Sequence, residues 1–323
     1  MNTVKKHTLP PWTDRKRKGG RALIVEGGGM RGAFTGGVLA AMTAHHPARE
    51  NFDLVVGVSS GSCAASYYVT ESEQSTVRMF ANLNMWRYEL AGNKLISYFN
   101  PLKGKSFLNQ EYLIDDLFGK KYRMHRERFD DQSTVPFYIV VTNIHTLKPE
   151  YIRATSQNIL TLLKAATSLP IATKGKRRFL DSFYTDGAVL DPVPVQAVID
   201  AGYTDITVVL TNPRHHRSRA IGKWLSRLSF PTNSRLAKLL NREHHIRYNR
   251  AYDIINHPPK GVKIHIIDPE VQPPAKLVTR SEKHLNTTVD MGLEAGMRYI
   301  SMKVAQTERW FHRVFRIFKP RQA

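Results

Sequence analysis

Five short stretches of the chain are rich in apolar residues at nearly every position: 22–26, 54–58, 136–142, 205–210 and 262–267. An alternating pattern would mark a sheet with one wet face, whereas unbroken apolar runs mark strands buried on both faces. Between these runs the periodicity is helical, around 33–44, 60–68, 160–166, 193–201 and 234–255. Buried strands alternating with helices predict an α/β fold: a mostly parallel central sheet between helical layers, three layers in all. No internal repeat and no long low-complexity tract disturbs the pattern.

The 323 residues are enough for one large core or two modest ones. A basic, proline-broken arm occupies 1–20, without the apolar stretch of a secretory signal. The pattern of buried strands and helices begins at 21, and a domain edge is expected near 211. From Arg214 to Arg250 ten Lys and Arg residues are opposed by Glu243 alone. The divisions expected are therefore 1–20, 21–210 and a basic region 211–323 that carries amphipathic helices and helps complete the core. No apolar run approaches the ~20 residues of a bilayer span. The single cysteine, Cys63, allows no internal disulfide, so a reducing, cytoplasmic setting is expected. A formal net charge of +21 draws polyanions, either nucleic acid or the anionic face of a membrane.

Three short motifs carry chemistry. Gly57-Val58-Ser59-Ser60-Gly61 fits G-x-S-x-G, a tight turn between strand and helix that exposes a serine hydroxyl. It follows an apolar strand and precedes a small-residue helix, as such an elbow requires. Gly27-Gly28-Gly29-Met30-Arg31-Gly32 also lies between strand and helix. Its spacing matches G-x-G-x-x-G, but a dinucleotide site wants an acidic residue closing the next strand, and Asp53 opens it instead. The competing reading is an oxyanion hole built from glycine N–H groups, with Arg31 and Gly32 beside it to hold a phosphate-bearing substrate. The third motif, Asp186-Gly187-Ala188, would on its own be an ordinary turn.

In this order the three motifs resemble the patatin-like phospholipase family, over roughly residues 21–200. The resemblance implies the patatin-like α/β/α fold, Ser59 as nucleophile, and Asp186 as the base that takes its proton. It also implies an oxyanion hole at Gly27, Gly28 and Gly29, with Gly57 and Gly61 shaping the elbow. Ala165-Ala166-Thr167-Ser168-Leu169-Pro170 is loosely similar to a small-residue stretch of the same family. The substrate implied is a phospholipid or another lipid ester, split to a fatty acid and a lysolipid at an anionic membrane surface. The enzyme would then be peripheral, at the inner face of the membrane. Neither metal nor organic cofactor is expected.

Several features leave alternatives open. An α/β-hydrolase triad would need a late histidine: His257, His265, His284 or His312. The histidine pairs 45–46, 215–216 and 244–245 lack a metal-ligand motif. Segment Arg309–Lys319 sorts into an aromatic and a basic face, suited either to an anionic bilayer or to the domain's own core. Ile221, Trp224, Leu225 and Leu228 repeat that design beside Lys223 and Arg227. A non-catalytic lipid-binding adaptor on the same fold is the rival function. Nucleic-acid binding rests on charge alone and is disfavoured, since no stacking or recognition motif accompanies it.

Overall fold

The computed structural model describes residues 8–11, 19–70, 82–98, 100, 106–173 and 175–317, the side chains of 44 and 306–317 excepted. Eight strands form one sheet: β1 (Gly20–Val25), β2 (Leu54–Val58), β3 (Phe137–Asn143), β4 (Lys148–Arg153), β5 (Arg177–Phe179), β6 (Ser182–Asp186), β7 (Tyr203–Val209) and β8 (Lys263–Ile267). Their order is β5-β6-β3-β2-β1-β7-β8, with β4 paired to β3. The pairs from β3 through β2, β1 and β7 to β8 are all parallel. Strands β4, β5 and β6 form the antiparallel part.

The unbroken apolar runs behave as their pattern requires. Leu23, Val25 and Val55 enter one core, while Ala22, Ile24, Leu54 and Val56 enter the other. The first core is closed by helices Gly32–His45, Ser60–Thr70 and Ile159–Ala166 and by the long helix Glu282–Ile317. Helices Val195–Asp200 and His244–Asn256 close the second. The protein is thus a three-layer α/β/α sandwich around a mostly parallel sheet.

The helical pattern expected over 234–255 is two helices, Ser234–Arg242 and His244–Asn256, broken at Glu243. Asn233 caps the first, its side chain accepting from Leu236 N at 3.0 Å. Strands β4, β5 and β6 escape the apolar pattern, because LysProGluTyrIleArg and SerPheTyrThrAsp carry as many polar as apolar residues. Most of the basic arm 1–20 and the side chains of 309–319 lie outside the described residues, so the expected amphipathic face there is not placed.

One topological detail positions the site. On β3, residues 138–143 pair with β4, so β2 (paired at 137–140) and β6 (paired at 141–143) must share the opposite edge. They run toward each other along it. Val58, the last residue of β2, sits opposite Val140, and Asp186, the last of β6, sits opposite Val141. Two chain segments over a hundred residues apart therefore end tip to tip.

The helix Gly32–His45 and the long helix Glu282–Ile317 pack with their backbones unusually close. A Cβ on Gly292 would stand 2.1 Å from Phe34 O and 3.1 Å from Gly37 Cα. Gly292→Ala is therefore expected to push the helices apart at a cost of about 1–3 kcal/mol, read as a lower urea midpoint at unchanged m-value.

Candidate active site

Ser59 stands between β2 and the helix Ser60–Thr70, with φ +51°. That is a rare backbone state for a side chain other than glycine, and it is held only where the surroundings enforce it. The enforcement is visible at Gly61, where an added Cβ would lie 2.5 Å from both Val25 O and Glu26 O. The first turn of the helix is thereby pressed against the end of β1. The positive end of the helix consequently points at the serine.

The Ser59 hydroxyl donates to Asp186 Oδ2 at 2.6 Å, and both residues are buried. The other carboxylate oxygen accepts from Ala188 N at 2.9 Å, so Asp186 also caps the turn that follows it. Ser168 O, in the stretch 165–170, accepts from Asp186 N at 3.3 Å and from Thr185 Oγ1 at 2.8 Å, fixing the end of β6. Burial pushes the Asp186 pKa up to about 7, against the opposing pull of the Ser59 and Ala188 hydrogen bonds. A carboxyl group at that value takes and returns a proton near neutrality.

The glycine loop lies on the same cavity wall as Ser59 and Asp186. Its amides are not equivalent. Gly28 N donates to Ser60 Oγ at 3.0 Å, and Met30 N donates to Leu277 O at 3.2 Å. The Gly29 amide has no acceptor among the described residues. Arg31 lines this cavity too, and its buried Nε has no hydrogen-bond partner there. Asp53, by contrast, is engaged by Arg21 N at 2.8 Å before the start of β2, at the end of that strand remote from the loop.

Two cavities meet at Ser59. One is apolar, walled by Cys63, Met85, Trp86, Leu113 and Phe118. The other is more polar and holds Arg31, Asp186, His244 and Tyr248, with Leu277 bordering both. Cys63 is buried and free, and burial first of all keeps its thiol protonated, reinforced by Asp186 nearby. Of the late histidines, His265 sits on β8 against Asp205 at 3.1 Å, and neither His257 nor His284 lines either cavity. The side chain of His312 lies outside the described residues. His244, half-buried in the polar cavity and held by burial below the usual imidazole range, carried no motif that singled it out.

Glu26 also went unread in the sequence, although a charged residue closing an apolar run was the available signal. It is buried at the end of β1 and accepts from Thr211 N (2.5 Å), Thr211 Oγ1 (3.1 Å) and Tyr248 Oη (2.8 Å). Tyr252 Oη lies 3.2 Å from the same carboxylate. Burial raises its pKa, and the Thr211 and Tyr248 hydrogen bonds and the Arg31 charge oppose the rise. The glycine loop is therefore anchored by a carboxylate that draws its donors from residues 211–252.

Comparison with known proteins places these features in context. A family model described as "Patatin-like phospholipase" matches residues 23–199, more than half of the chain. A second, described as "Domain of unknown function (DUF6363)", matches 233–302. The "Uncharacterized protein YjjU" of Escherichia coli (strain K12) is 26% identical over 278 residues, 83% of this chain and 73% of that protein. Among solved structures, VipD from Legionella pneumophila superposes with a TM-score of 0.44 at 11% identity, over 93% of this chain and 71% of that one.

The raised pKa of Asp186 has a consequence for stability. A carboxyl whose folded pKa lies above its unfolded value favours the fold below pH ~4, and that contribution is lost as pH rises through about 7. An asparagine side chain at this position carries no charge to desolvate, and its amide oxygen still accepts from Ala188 N. Asp186→Asn is thus expected to stabilise the fold at pH 8, by at most about 4 kcal/mol, with little gain at pH 4. The thermal midpoints of the two proteins at each pH read the effect, and a shift of the same size at both would contradict it.

Proposed function

The chain belongs to the patatin-like phospholipase family, and on that premise we propose that it is a serine lipid acyl hydrolase of phospholipase A or lysophospholipase type. The observation that carries the reading is the 2.6 Å hydrogen bond from Ser59, at φ +51°, to the buried Asp186 carboxylate. A serine hydroxyl is a poor nucleophile until an adjacent base takes its proton. Asp186 is that base, since its pKa lies near 7 rather than in the usual carboxylate range.

The reaction runs in two halves. Ser59 Oγ attacks the ester carbonyl as its proton passes to Asp186 Oδ2. The tetrahedral oxyanion is held by amides of Gly27, Gly28 and Gly29. The Gly29 N–H is uncommitted, while that of Gly28 joins once Ser60 Oγ turns away. Collapse expels the alcohol, which takes the proton from Asp186 and leaves the acyl group on Ser59. Water then gives a proton to Asp186 and attacks the acyl-enzyme; collapse releases the fatty acid as Asp186 returns that proton to Ser59 Oγ. Losing one oxyanion donor typically costs about 2.7–4 kcal/mol of barrier stabilisation.

The two cavities suit the two ends of a lipid ester. The apolar one accepts an acyl chain against Met85, Trp86 and Phe118. Arg31 in the other forms no salt bridge among the described residues, although its charge acts on the buried Glu26, and it is placed to meet a headgroup phosphate. Gly32 opens the following helix directly behind it. No helix among the described residues is long and apolar enough to cross a membrane.

Hydrolysis of p-nitrophenyl butyrate and of phospholipid vesicles tests the reading. Ser59→Ala and Asp186→Asn should each lower kcat by about a thousand-fold or more, whereas alanine at His257, His265, His284 or His312 should leave it unchanged. Loss of activity in one histidine variant would replace the dyad with a triad.

The base must be ionised to act, so its elevated pKa also sets the pH profile. The expected kcat/KM is flat above pH ~7 and falls about ten-fold per pH unit below it. A profile flat down to pH 5 would remove Asp186 from the role of base.

A further inference from the structure

The helix Lys223–Ser229 is built inside out. Its serines face the protein, Ser226 only 1% exposed and Ser229 also buried. Its large apolar residues face away: Trp224 is 76% exposed, Leu228 49% and Leu225 44%. A helix that only covers its own core presents the opposite arrangement, and apolar residues left facing outward gain little from folding.

The placement of this helix says what uses them. Leu225 and Ser229 line the polar cavity that contains Ser59. The same cavity is bordered by two further exposed apolar side chains, Ile171 and Leu277, and Val278 continues the strip beside Leu277. Three segments remote in sequence therefore bring exposed apolar groups to one rim. A soluble monomer rarely leaves such a contiguous patch in water without a partner for it.

The charges around the rim select the partner. Lys223, Arg227 and Lys276 are exposed among these apolar residues, and no acidic residue occurs between Thr211 and Arg242. Neither Lys223 nor Arg227 has an ion-pair partner among the described residues. A second copy of this chain would bring the same positive field to the contact and be repelled. An anionic lipid surface meets both demands, offering phosphates to the cations and an apolar layer beneath them, with the indole at the boundary where tryptophan is favoured.

We propose that this rim seats the protein on an anionic lipid surface. Trp224, Leu225 and Leu228 enter the boundary between headgroups and acyl chains, and the Ser59 cavity opens toward the lipid. The assignment deepens the hydrolase reading and rests on it for its purpose, but the docking itself needs no turnover.

The test uses the full chain carrying Ser59→Ala, so that the probe survives. It is floated with vesicles of phosphatidylcholine plus phosphatidylglycerol, and with vesicles of phosphatidylcholine alone. Binding is expected to the mixed vesicles and to be weak on the neutral ones. Adding Trp224→Ser and Leu228→Ser should weaken mixed-vesicle binding about ten-fold or more, with no fall in the thermal midpoint. In a chain with Ser59 intact, the same two substitutions should leave hydrolysis of p-nitrophenyl butyrate unchanged. Undiminished vesicle binding by the substituted chain would overturn the proposal. So would equal binding to neutral and mixed vesicles, or a self-associated parent that Trp224→Ser renders monomeric without any vesicle binding. The two readings fail separately: docking is read on a catalytically dead chain, and the hydrolase reading fails on the soluble ester.

Discussion

Asp186 carries a carboxyl group that has no solvent-exposed surface, with one hydroxyl at 2.6 Å and one amide at 2.9 Å as its hydrogen-bond partners. Two donors are too few to offset the loss of water around a full charge, so the group keeps its proton up to about pH 7. Sustaining that arrangement demands rigid support. It comes from the shared edge of β3, where β2 and β6 end against neighbouring residues Val140 and Val141. On the proposed reading, desolvation does here what an imidazole does in a triad. It brings a base to the neutral range, and a third residue is then unnecessary.

Glu26 is a second buried carboxylate whose pKa burial raises. It accepts from Thr211 and Tyr248 with Tyr252 beside it, and it ties the glycine loop to the later part of the chain. Its donors all come from beyond residue 199, where the patatin-like match ends. Leu277, which accepts from Met30 N and borders both cavities, also lies in that later part of the chain. Ser59, Asp186 and the glycine loop belong to the matched segment, but the donors that anchor the loop and much of the polar cavity's wall do not.

What the sequence disclosed follows the same division between local and distant constraints. Strands β1, β2 and β3 were legible because a strand buried on both faces is largely apolar, and β7 and the half-buried edge strand β8 were legible from the apolar runs they still carry. Strand β6 was not, since Ser182–Asp186 takes its conformation from pairing with β3 and its composition from the chemistry at its end. Ser59 and Asp186 were legible because tight turns leave glycines behind, at 57, 61 and 187. Their meeting across 127 positions rested on resemblance, as no local pattern encodes which edge of β3 two strands will share. The commitment of the Gly28 amide to Ser60 was likewise out of reach, because it depends on one side-chain rotamer.

The inverted helix and the buried acid bear on each other. A lipid surface over the rim would lower the dielectric at the mouth of the cavity, and that strengthens every interaction with a charge formed there. Lower dielectric would also suppress a base that still relied on water to ionise. Asp186 no longer does, since its solvent contact is already gone in the free protein. On the proposed reading, covering the mouth would therefore add little to its desolvation, while the amides proposed to meet the oxyanion would gain the full benefit. A base desolvated by the fold in advance is thus compatible with a site that works against an apolar phase, as a solvated carboxylate at the same position would not be.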